Sequence, residues 1–226
     1  MVFVDSTQKA AVMTMSAAIS EGLQSQHKVL WLTSGGSNVP VEVAIMRNLR
    51  NSVSKDLPLL TIVPMDERYG GAGHADSNTE ALRQAGFDVG LATWLDVLAN
   101  NLPFADTVVH YDAAVQNALS HADLVVGQFG IGSDGHIAGI LPESPACRAG
   151  SATVMGYEWS DYTRMTMTAA ALKRITLGYV VAFGDAKRDA LERLQKNEES
   201  FEQLPACLLY ELPEVYVYND QLEQKE

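Results

Sequence analysis

The chain has 226 residues, 47% hydrophobic and 19% charged, with a formal net charge of -12 and two cysteines. This composition suits a soluble globular protein with a substantial core, and the acidity argues against nonspecific binding to nucleic acid or to an anionic membrane. No apolar run is long enough to span a bilayer and the start, MVFVDSTQKA, lacks a signal-peptide pattern, so a cytoplasmic protein is expected, with Cys147 and Cys207 as free thiols outside any metal-ligand spacing.

In chain order, apolar residues from Ala10 to Leu23 recur at helical spacing, which predicts an amphipathic helix over 6–26 capped by Ser6 or Thr7. Residues 28–32 read as a strand. It is followed by the turn Thr33-Ser34-Gly35-Gly36-Ser37-Asn38-Val39-Pro40 and a helix to about Leu49. A glycine turn between strand and helix can aim backbone N–H groups and the helix dipole at an anion, with Ser34 and Ser37 adding hydroxyls; the alternative is a plain tight turn. The turn is neither a Walker loop nor a GxGxxG loop.

Residues 58–65 form a second expected strand, ending in Asp66-Glu67-Arg68-Tyr69, either a site at its carboxyl end or a solvated turn. A glycine-rich loop follows, in which His74 is either a second polar ligand to substrate or a structural hydrogen-bonding His, the structural reading being preferred, and then a helix from about Ser77. Residues 93–98 suggest a short strand and 105–120 a helix. The run 122–127 is a buried-strand pattern that stops at QFGIGSDGHIAGILP, where Gly130, Gly132 and Gly135 permit positive φ or close backbone approach. Asp134 and His136 in that turn could both face a substrate. His136 is the candidate general base, because imidazoles titrate near neutrality; the alternative is an ordinary turn with a surface His.

The segment LPESPACRAG could be a movable rim. Residues 162–168 alternate as a strand does around Arg164, and the strand LGYVVAF leads into Gly184-Asp185-Ala186-Lys187-Arg188 and a helix to about Lys196. Lys187 in that helix's first turn opposes the dipole unless an anion lies near. A helical turn at 205–211 and a strand at 215–218 close the chain. Strands alternating with helices, and no linker or repeat, predict one α/β domain over 1–226, doubly wound and Rossmann-like, its mostly parallel sheet covered on both faces. The loops after the strands then gather on one edge.

The combination SGGS, MDERYGGAGHADSN, GIGSDGHIAGILP and GDAKRDAL, with RMTMT, resembles the 6-phosphogluconolactonase and glucosamine-6-phosphate deaminase superfamily, and DER followed by HADSN is similar to the lactonase branch. The resemblance implies a phosphate site from Gly36, Ser37, Arg164 and Lys187, to which the local reading adds Ser34 and Gly35. His136, beside Asp134, would activate a water against the C1 carbonyl of a 6-phosphosugar δ-lactone. Backbone amides of the Gly130 to Gly135 loop, Gly132 among them, would receive the oxyanion. Neither metal nor cofactor is implied, and the partner is a small phosphosugar. Arg68 either contacts substrate or braces its own loop. The deaminase branch is the alternative: Asp66 would then act on C2 of an open-chain aminosugar, but the carboxylate that branch places five residues after the His is here Leu141. The turn GGSNVP is one residue longer than the family's GGSTP, which shifts the phosphate seat or the helix start, and Ile137 and Gly139 stand where Thr and Ser are expected. A noncatalytic phosphosugar sensor is the third possibility.

Overall fold

A computed structural model describes residues 1–160 and 162–223. The apolar runs form parallel strands because each is buried on both faces and is joined to the next through a helix. In chain order the elements are β1 (Val2–Asp5), α1 (Gln8–Gln24), β2 (Val29–Thr33), α2 (Val39–Ser52), β3 (Leu60–Pro64), β4 (Asp66–Arg68), α3 (Asn78–Gln84) and β5 (Thr93–Trp94). They continue as α4 (Phe104–His121), β6 (Leu124–Phe129), β7 (Val154–Trp159), β8 (Tyr162–Met167), α5 (Ala169–Leu172), β9 (Leu177–Ala182), α6 (Arg188–Lys196) and β10 (Val215–Asn219).

Seven strands make one parallel sheet in the order β1-β10-β9-β6-β2-β3-β5. Strand alternation divides the core. Val29 and Trp31 of β2 pack with Ile19 of α1 and Ile45 of α2 on one face, while Leu30 and Leu32 pack with Val115 of α4 and Leu191 of α6 on the other. From β2 the chain winds outward to β3 and β5, then returns to β6 and winds the opposite way to β9 and β10. The gap between the ends of β2 and β6 is therefore the topological switch point, where open α/β sheets hold ligands. The expected doubly wound architecture is present, and among the described residues no helix is long and apolar enough to cross a membrane.

Three local expectations need correction. Residues 2–5, before the helix expected over 6–26, form an additional strand, β1, which pairs with β10 at the sheet edge. The strand expected over 93–98 is only Thr93–Trp94. Of the two readings of residues 66–68, a site at the strand's carboxyl end or a solvated turn, the turn is the one that fails: they form β4, which joins β7 and β8 in a small antiparallel sheet. That sheet follows β3 directly: Met65 N donates to Thr33 O and Met167 N to Met65 O, each at 2.8 Å, so β4 and β8 stand over the carboxyl end of the large sheet.

Candidate active site

Two loops meet at the switch point. After β2, Gly35 (φ 69°) and Gly36 (φ 55°) adopt left-handed backbone suited to glycine, and a Cβ on Gly35 would lie 2.7 Å from Asn78 Oδ1. The extra residue of GGSNVP is accommodated in a 3-10 turn over Gly36–Asn38, with α2 starting at Val39. After β6, Gly130 N donates to Ser34 Oγ at 3.0 Å and so ties the two loops together.

The second loop carries Asp134 and His136. His136 Nδ1 lies 2.7 Å from Asp134 Oδ1, and the same oxygen accepts the His136 backbone N–H at 3.1 Å. Partial burial works to raise the Asp134 carboxyl, but the imidazole and backbone donors outweigh it and hold the group at about 2. With Asp134 ionised, the contact is an Nδ1–H donated to the carboxylate, which fixes the orientation of the ring. The loop is braced from the C-terminal part of the chain, where Arg193 Nη1 donates to Asp134 O at 3.2 Å and Ala206 N to Gly135 O at 3.0 Å.

The small antiparallel sheet supplies the facing wall. Its register sets Asp66 opposite Thr166 and Arg68 opposite Arg164 on one face, with Glu67 on the other. Glu67 is buried beneath the start of α3, where it accepts Ser77 Oγ at 3.0 Å, Asn78 N at 2.7 Å and Thr79 N at 3.0 Å, the usual pairing of a carboxylate with a helix N-terminus. Both guanidinium groups lie over the Tyr162 ring, Arg68 at 5.3 Å and Arg164 at 5.1 Å from its centroid. Arg68 Nη1 also donates to Asp76 O at 3.0 Å, so Arg68 both braces its loop and faces the cleft. Lys187 ends a 3-10 turn and caps α6 rather than lying in the first helical turn; its Nζ reaches across to Ile131 O at 2.7 Å.

The result is a cleft of about 280 Å³ lined by Ser34, Gly35, Gly36, Ser37, Asp66, Arg68, Gly132, His136, Arg164 and Lys187, with Asn78, Gly130, Ile131 and Ala138. Asp134 stands behind His136. Every residue expected at the site is thus in or directly against one cleft. Asn78, which also donates to Asp66 O at 3.1 Å, was missed, although the DSN motif carried its signal. The amides of Gly130, Gly132 and Gly135, expected as oxyanion donors, are already bonded to Ser34 Oγ, His136 O and Gly132 O. His74 is structural as expected, its Nε2 2.9 Å from Arg68 O. The segment expected as a rim is tied down by Glu143 N to Glu202 O at 2.8 Å and by the Arg148–Glu202 ion pair. Cys147 and Cys207 are free thiols.

Asp66 is the unusual carboxyl of the cleft. Burial pushes it up to about 6, with Glu67 adding to the rise and Arg68, His136 and Arg164 opposing it. The folded state therefore keeps a proton that the unfolded chain loses near pH 4, so stability falls as pH rises from about 4 to about 6. Asp66→Asn should remove that part of the slope, a gain of about 3 kcal/mol relative to wild type at neutral pH that vanishes in acid. Urea unfolding at both ends of the window measures it.

A model of the family described as glucosamine-6-phosphate isomerases/6-phosphogluconolactonase matches residues 4–216. The chain belongs to this family. Among curated relatives, a 6-phosphogluconolactonase from Neisseria meningitidis is 30% identical over 145 residues, 59% of this chain and 61% of that protein. One from Synechocystis is 27% identical over 157 residues, 62% of each. These matches thus span about three fifths of the relatives' length. Among solved structures, a 6-phosphogluconolactonase from Thermotoga maritima superposes with a TM-score of 0.76 over 96% of this chain and 97% of that one, at 18% identity. A monomeric glucosamine-6-phosphate deaminase does so with 0.77 over 97% of both chains, also at 18%. At that identity the likeness is one of fold, and both activities of the glucosamine-6-phosphate isomerase/6-phosphogluconolactonase family share it.

Proposed function

We propose that this chain hydrolyses 6-phospho-D-glucono-1,5-lactone to 6-phosphogluconate, as a cytoplasmic enzyme of the pentose phosphate route. The observation that carries the reading is the Asp134–His136 pair on the edge of a cleft that also presents Gly35 to Ser37, Arg164 and Lys187. A phosphate dianion would sit among those last groups, where Lys187 keeps two of its three N–H donors beyond the bond to Ile131. His136 Nε2 takes a proton from water as the water oxygen bonds to C1. The C1–ring oxygen bond then breaks, and the ring oxygen receives the proton from His136. Because the glycine amides are engaged, the developing oxyanion falls to the cationic wall, with Arg68 as the donor.

The deaminase reading has one observation in its favour, the raised Asp66 carboxyl inside the cleft, which could exchange a proton with a sugar carbon. Against it, Leu141 occupies the position of the ring-opening carboxylate, and Glu143 is not among the cleft-lining residues, its backbone being held by Glu202. Purified protein given fresh lactone, corrected for spontaneous hydrolysis, should accelerate its loss and should release no ammonia from glucosamine 6-phosphate. Ammonia without lactone loss would reverse the choice, and phosphosugar binding with neither turnover would leave a sensor.

A further inference from the structure

Glu42, in the first turn of α2, is fully buried and has no part in the chemistry above. Its Oε1 accepts the backbone N–H of Ser34 at 2.7 Å and of Gly35 at 2.9 Å. The loop after β2 is therefore held from behind. Two N–H groups that could turn toward an anion are directed at a carboxyl group instead, while Ser34 Oγ stays free to receive Gly130 N. The second carboxyl oxygen, Oε2, is enclosed with no hydrogen-bond partner among the described residues. An oxygen so placed is better occupied by a proton than left with an unsolvated charge.

Burial pushes the Glu42 carboxyl up to about 7 against the two backbone hydrogen bonds, and Asp66 of β4 adds to the rise. The side chains buried on α1 and α3, which pack on α2, are uncharged, and Arg47 and Arg50 of α2 itself are exposed. Of the other charged or titratable groups, Glu67 is engaged by the start of α3, and Arg68, Arg164, Lys187 and His136 line the cleft in front of the loop.

We infer that Glu42 is a positioning residue of the phosphate loop, and that it takes up a proton from solvent when a phosphate enters the cleft. The inference rests on the reading above only in placing the phosphate against Gly35 to Ser37. A dianion there repels a carboxylate behind the same residues. Protonated Glu42 keeps one oxygen for both amides and removes the repulsion; the proton sits on Oε2 and leaves with the ligand.

The test is calorimetric titration of inorganic phosphate slightly above neutral pH, in two buffers of different ionisation enthalpy, on wild type and Glu42→Gln. The amide oxygen of Gln still serves both N–H groups, and the second ionisation of phosphate is common to both proteins. Wild type should take up a fraction of a proton more than the variant. The ratio of its KM for the lactone to that of the variant should rise roughly tenfold from mildly acidic to mildly alkaline solution, the scale of one charge behind the site at an effective dielectric of about 20, with kcat alike. Equal proton uptake, or parallel KM profiles, would overturn the assignment. If Glu42→Gln does not fold, Asp66→Asn decides, since it removes the other raised carboxyl of the cleft: uptake beyond what phosphate itself accounts for should persist in it, and its loss there would overturn the assignment. Proton excess in a wild type that leaves lactone untouched would uphold Glu42 and overturn the lactonase reading, whereas no phosphate binding would overturn both.

Discussion

Replacing His136 by Ala is expected to lower kcat for lactone hydrolysis by about a hundred- to ten-thousandfold, the usual contribution of a positioned general base, with KM little changed. The imidazole lines the cleft, and its Nδ1 is fixed by an ionised Asp134 at 2.7 Å. Removal leaves the phosphate groups in place, so phosphate should still bind. The ring is 39% exposed, so its loss should barely affect stability. Asp134→Asn should cost less, because it disturbs the tautomer and aim of the ring without deleting it. Initial rates corrected for spontaneous opening, with phosphate binding as the control for folding, decide the matter; a variant as fast as wild type would remove His136 from the mechanism.

The second large effect is expected from a single methyl group. The φ of Gly132 lies outside the left-handed region that favours glycine, yet a Cβ there would lie 2.1 Å from His136 Nδ1 and 2.4 Å from Asp134 Oδ1. Both obstacles are side-chain ends on a partly exposed loop. They can move aside cheaply, and the catalytic pair would be displaced rather than the fold. Gly132→Ala should therefore lose about a hundredfold in kcat, the scale of a misplaced reacting group, while unfolding free energy changes by no more than about 1 kcal/mol. A large loss of stability with intact kcat would show that the backbone yields instead and that the pair tolerates the methyl.

The parts of this site that could be read from the chain are those whose chemistry is local. Glycines at strand ends, a carboxylate two residues before a histidine, and a lysine opposed to a helix dipole each carry their reason within a few residues. What escaped depends on pairing distant in sequence. β7 is a poor strand by composition, with Gly156 and Glu158 inside it, and forms because β8 offers it a complete antiparallel ladder. Residues 66–68 look like a solvated turn until β8 pairs with them and α3 supplies amides for Glu67. β1 is four residues long and owes its form to β10, some two hundred residues away. Glu42 reads as an unremarkable helix position; only the return of Ser34 and Gly35 over it shows that it is enclosed.

The placement of Arg68 directly opposite Arg164 has a practical consequence. Like charges facing each other across a strand pair oppose folding by some tenths of a kcal/mol or more, and here both are stacked against a single tyrosine. An anion settling between them relieves that repulsion as it binds, and a ligand at a hundred times its Kd adds about 2.7 kcal/mol to the folded state. With the proposed phosphate site, heat resistance is expected to depend partly on the solvent. Melting temperatures should then be higher in phosphate than in an amine buffer, and variants should be compared at constant anion content.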